Sequence, residues 1–117
     1  MAYPSRVLGS GHPGASATAI CGDVATGLTA AGTNSATALG LSAVHNVVGT
    51  TAASTGVRLP PAEAGAVSVV ANDGANSLTV YPASGTIDGA ASVAIATTKR
   101  RVFVGTSPTT WVSVLGA

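Results

Sequence analysis

Residues 66–71 read AVSVVA, residues 72–76 read NDGAN and residues 77–81 read SLTVY. The two flanking runs are short and rich in β-branched side chains, and the five residues between them tolerate positive φ. That pattern predicts two strands joined by a turn, a β-hairpin. In the second strand Leu78 and Val80 fall on one face, because successive side chains point to opposite sides. Pro82 ends the run, since proline cannot donate to a ladder, and Ser84 with Gly85 makes the next turn.

The same alternation of β-favouring runs and turn signals extends in both directions. Upstream lie residues 24–29, residues 36–41 after a turn at Gly32, Thr33, Asn34 and Ser35, the β-branched run HNVVGTT at residues 45–51, and Val57, Arg58 and Leu59 before Pro60 and Pro61. Downstream come residues 92–96, the run TKRRVFVGT at 98–106, a turn at Ser107, Pro108 and Thr109, and WVSVL at 111–115. Helical signals are poor. The Ala-rich stretch 29–41 is broken by Gly, Thr, Ser and Asn and carries no sustained i, i+3, i+4 stripe. At most one helical turn is expected, at Ala62, Glu63 and Ala64 behind the two prolines. No internal repeat stands out. The expected fold is all-β, a small antiparallel β-sandwich or barrel. Residues 23–117 form the β domain. Residues 1–22 form an extended N-terminal arm, punctuated by Pro, Gly and Ser and lacking either period.

Length and composition bound the function. The chain has 117 residues, which is one domain. Only 8% are charged, against about 25% in ordinary domains. Aromatics amount to one Phe, one Trp and two Tyr, so the 46% apolar content is mostly Ala and Val. Such a chain is too apolar for disorder along its length. A net charge of +1 supplies no phosphate-neutralising field, so nucleic acid is not an expected partner. No run of about 18 apolar residues escapes Gly, Ser, Thr or Asn, so no membrane span is expected. No signal peptide is expected either, because Gly9, Gly11, Pro13 and Gly14 interrupt any apolar region behind Arg6. Small side chains bury little area each, at roughly 25 cal/mol per Å². A thin Ala/Val core beneath a weakly charged surface is poorly suited to a monomer, and implies cover by copies of itself or by a larger partner.

Catalytic chemistry finds little to work with. Asp73 and Asp88 sit in turns, where Asp serves backbone hydrogen bonding. His12, Cys21 and His45 have no metal-ligand spacing, and the single Cys21 has no internal disulfide partner. Residues 9–14, GSGHPG, match a G-x-G-x-x-G pattern without the strand, helix or acidic residue that a dinucleotide site needs. No enzyme, metal or cofactor is expected. The residues nominated for partner contact are His45, Arg58, Lys99, Arg100, Arg101 and Trp111. Lys99, Arg100 and Arg101 form the sole charge run, which reads either as a solvated strand edge that resists aggregation or as a contact for an acidic partner. Trp111 reads as a packing anchor under a strand or at an interface, with sugar stacking as the functional alternative.

The order of these pieces resembles a β-module of small virion proteins of tailed bacteriophages. The match runs through Gly56, Val57, Leu59 and Pro60, then Gly65 with Val67, Val69 and Val70, then Asn72 and Gly74. It continues through Val80, Tyr81, Pro82, Gly85, Ile87 and Gly89, the basic strand, and Trp111. It covers roughly residues 29–114 and leaves the arm outside. The resemblance implies a non-enzymatic homotrimer on the virion: a capsid decoration (cement) protein that binds the major capsid protein and stabilises the shell from its outer surface. The alternative it leaves open is a head or tail fibre module that binds host-surface glycans. It carries over no catalytic residues.

Overall fold

The computed structural model describes residues 22–116, with side chains to Val114. The expected arm therefore lies outside the described residues except for Gly22. Ten strands follow: β1 Val24–Thr29, β2 Leu39–Gly40, β3 His45–Thr50, β4 Gly56–Arg58, β5 Val67–Asn72, β6 Leu78–Tyr81, β7 Thr86–Ile87, β8 Val93–Ile95, β9 Arg100–Ser107 and β10 Thr110–Gly116. Each β-favouring run of the sequence is a strand, with ends shifted by a few residues. The expected helical turn at Ala62 is instead a turn closed by Ala66 N–H donating to Glu63 O at 3.0 Å.

The all-β class holds, but not the antiparallel arrangement. Odd and even strands from β1 to β6 alternate between two sheets, and each circuit lays its strands parallel on those of the circuit before. In the larger sheet β1 pairs with β3 and β3 with β5. In the smaller one β2 pairs with β4 and β4 with β6. This is β-solenoid-like stacking. After Tyr81 the direction reverses: β8 lies antiparallel on β6, β9 antiparallel on β5, and β10 antiparallel on β9, with the short β7 parallel to β10. The sheet orders are β1-β3-β5-β9-β10-β7 and β2-β4-β6-β8. Val48, Val57, Val70, Leu78, Val80, Ile87, Ile95 and Phe103 contribute fully buried side chains to one core cluster.

The expected hairpin at residues 66–81 does not form, because β5 and β6 belong to different sheets. The turn between them is a corner, held from inside. Asn72 is fully buried. Its amide donates to Asn76 O at 2.8 Å and Ile95 O at 2.9 Å, and its Oδ1 accepts from Gly74 N–H at 3.0 Å. The corner also rests on the preceding circuit. Thr51 Oγ1 donates to Asn76 O at 2.9 Å, and Asn76 Nδ2 donates back to Thr51 O at 2.9 Å. A Cβ at Gly74 would stand 2.7 Å from the Thr51 backbone nitrogen, so only glycine permits this approach. A hairpin would spend these polar groups on solvent. The corner spends them on its neighbours, which is where buried polar groups must find partners.

Candidate functional site

The basic run does not lie on a strand edge. Arg100 and Arg101 open β9, which sits inside the larger sheet between β5 and β10. Lys99 is exposed and precedes the strand. Arg100 points outward, with Nη2 3.7 Å from Asp73 Oδ1, and both side chains are well exposed. Arg101 points the other way. Its Nε donates to Ser113 Oγ at 2.8 Å and its Nη2 lies 3.8 Å from Asp88 Oδ2. The edge-protection expectation is thus corrected: antiparallel pairing on both sides removes any edge there, and two of the three cations face carboxylates of the same chain.

Asp88 shows why. It has φ 52°, Gly89 has φ 78°, and Ile87 and Ala90 exchange backbone hydrogen bonds of 2.9 and 2.8 Å. Positive φ at both central residues is the signature of a tight two-residue turn, which favours Asp followed by Gly. The turn aims the Asp88 carboxylate at β10, where it accepts from Ser113 N–H at 2.9 Å and from the Ser113 hydroxyl. The Ser113 hydroxyl, helped by the Ser113 N–H and by the Arg101 charge, holds the Asp88 carboxyl below the usual carboxylate range against a smaller opposing effect of burial. Turn chemistry is what the sequence assigned to Asp88; the bond to β10 is what its position adds.

The other nominated residues scatter. Trp111 is 1% exposed and belongs to the core cluster, so it offers no surface for stacking a sugar. Phe103 is also fully buried, and the Tyr81 hydroxyl donates to Thr33 O at 2.9 Å. Arg58 is half-buried, donates from Nη1 to Ser35 O at 2.9 Å, and lines an open cleft of about 470 Å³ with Leu41, Leu59, Pro60 and Pro61. His45 is exposed at the start of β3. His12, Cys21 and the glycine motif at residues 9–14 lie outside the described residues. Among the described residues, no three of His, Cys, Asp and Glu gather as metal ligands, and no helix is long and apolar enough to cross a membrane.

The structure assembles instead a surface that sequence reasoning missed. Val67, Val104 and Val112 stand in one cross-strand row over β5, β9 and β10, and Val69, Val102 and Val114 stand in the next. Five of the six are exposed, from 37% for Val104 to 71% for Val114. The second row runs on through His45 of β3 to Val24 of β1, itself 65% exposed. The outer face of the larger sheet is therefore a valine block bordered by the Arg100–Asp73 pair. Its signal was present as three V-x-V triplets, at residues 67–69, 102–104 and 112–114. The middle residues Ser68, Phe103 and Ser113 lie in register on the inner side. With valine at both outer positions and no pairing known, the triplets did not say which parity faced the core.

Comparison with known proteins finds no matching family model, no matching curated protein and no matching solved structure.

Proposed function

We propose that this protein is a non-catalytic structural module that works by being covered: a homo-oligomeric capsid decoration (cement) protein that seats on the outer surface of a phage shell and stabilises it. The observation that carries the reading is the exposed valine face, an apolar block on the outer side of the larger sheet, since the large apolar patches of a protein surface are often functional. The tying of Asp73, Asp88, Arg58, Arg100 and Arg101 into contacts within the chain fits a scaffold better than a reaction site. The virion context, the trimer and the major capsid protein as partner are what the resemblance of the motif order from Gly56 to Trp111 to small phage virion proteins implies. Decoration by many copies turns weak individual contacts into firm attachment through multivalency.

The fibre-module reading, with host glycans as ligand, is the second choice. It would favour exposed aromatic platforms, whereas Trp111 and Phe103 are committed to the core. The deciding experiment mixes the full chain with purified shells, and separately with host cells, from the source of the gene. Co-sedimentation with shells and a raised shell melting temperature support the decoration role. Binding to cells alone supports the fibre role.

A further inference from the structure

We infer that the valine face of the larger sheet is the surface through which copies of this chain meet one another. The inference rests on the oligomeric reading above and assigns it a surface. Association of β-proteins takes one of two routes, along strand edges or across sheet faces. The edges here are poor templates. β2 has two residues and β8 has three, and β7 covers only Thr110 and Trp111 of β10, beyond which the Asp88 carboxylate occupies the Ser113 N–H. β1 is longer, but its register on β3 shifts between Ala25 and Leu28, where Gly27 adopts φ +66°. A bulge with a left-handed glycine kinks an edge strand and spoils it for further pairing. The face remains.

The chemistry of that face fits a second copy. Its centre holds six valines and no charge, so a partner that brought an ionised group onto it would bury that group unpaired. A copy brings valines to valines. At the border, Arg100 and Asp73 present one charge of each sign, and a copy presents the same pair to be matched crosswise. Residues 1–21 are a weaker occupant, with Val7, Leu8 and Ile20 as their only branched aliphatic side chains.

Size sets the expected strength. Five strands from β1 to β10 span roughly 19 Å at the usual strand spacing, and three outward positions along a strand, four residues from first to last, span roughly 13 Å. The footprint is roughly 250 Å² per copy, below the roughly 800 Å² of a standard interface, so weak, concentration-dependent association is expected from the face alone.

The test is sedimentation velocity on the full chain from about 1 to 200 μM, with the triple variant Val102→Thr, Val104→Thr, Val112→Thr and the single variant Val114→Lys beside it. Threonine keeps the β-branched shape and removes the apolar contact. Trp111, buried in the core and distant from solvent, reports folding of every variant by its fluorescence. The expected result is a species of two or three times the 11.1 kDa chain, which both variants dissociate by roughly 100-fold or more in Kd while folded. A chain that stays monomeric at 200 μM overturns the inference. So does an oligomer whose dissociation constant the folded variants leave unchanged, or a monomer that the threonines destabilise, which would mark cover by residues 1–21. A monomer that still binds shells refutes this surface and leaves the decoration role standing; an oligomer that ignores shells does the reverse.

Discussion

Replacing Asn72 with alanine tests the corner between β5 and β6 directly. The Asn72 side chain makes three hydrogen bonds, to Asn76 O, Ile95 O and Gly74 N–H. Each is worth about 1 kcal/mol net. Alanine leaves them unmade. Asn76 O keeps its bond from Thr51, and Ile95 O keeps a long one of 3.4 Å from Ser77. Gly74 is buried, and its N–H would be left without its Asn72 acceptor, which adds a desolvation penalty of about 1–3 kcal/mol. The expected loss is about 4 kcal/mol, a large share of the 5–15 kcal/mol typical of a domain. It corresponds to a fall in Tm of about 15 °C at this chain length. Urea unfolding followed by Trp111 fluorescence measures it. In a hairpin, by contrast, Asn72 would sit beside an exposed turn, and alanine would cost about 0.5 kcal/mol. A measured loss under about 1 kcal/mol would refute the stacked-corner account. The cycle with Thr51→Val sharpens the test, because both side chains donate to Asn76 O. A coupling of about 0.5–3 kcal/mol is expected for such neighbours, and strict additivity would argue that the corners do not share a load.

Acid should weaken the fold partly through Asp88. Its folded carboxyl is held below the ordinary value of 3.8, so its stabilisation is fully present above that pH and fades as pH falls through the lower folded value. Urea midpoints from pH 2 to 6 should show wild type losing its advantage over Asp88→Asn across that acid window; parallel curves would contradict this. Adjacent residues of β9 should respond oppositely: Phe103→Ala, in the core, is expected to cost about 3–5 kcal/mol, and Val104→Ala, on the outer face, under about 1 kcal/mol. Thermal unfolding of the two proteins compares them. For the arginines, Arg101→Ser should lower Tm more than Arg100→Ser, because Arg101 bonds Ser113 and faces Asp88 at partial burial, whereas the Arg100 pair is exposed and worth about 0–1 kcal/mol.

Strand positions were legible because β-branched runs, Pro82 and the Asp88 and Gly89 turn act locally. Leu78 and Val80 were placed on one face for the same reason, and the structure buries both. The hairpin at residues 66–81 misled because NDGAN suits either a turn back along the same sheet or a corner into another. Its contacts with Thr51 and Ile95, distant in sequence, decide between them. The circuits were hidden by unequal steps. Val24 pairs with His45 and His45 with Val69, 21 and 24 residues apart, while Leu39 pairs with Val57 and Val57 with Val80, 18 and 23 apart. No constant period exists to be read.

By itself, then, the amino-acid sequence determined that this chain forms short strands, where all but the two-residue β7 begin and end to within a few residues, and that few titratable groups are available for chemistry. These are consequences of side-chain shape and backbone freedom at single positions. Tertiary structure alone decided which strands are neighbours, that β9 is interior and its arginines are paired, and that the V-x-V triplets turn their valines outward. Strand pairing is made by backbone groups that every residue carries, so it is specified only by what the side chains meet once the sheets have closed on Phe103, Trp111 and Val70.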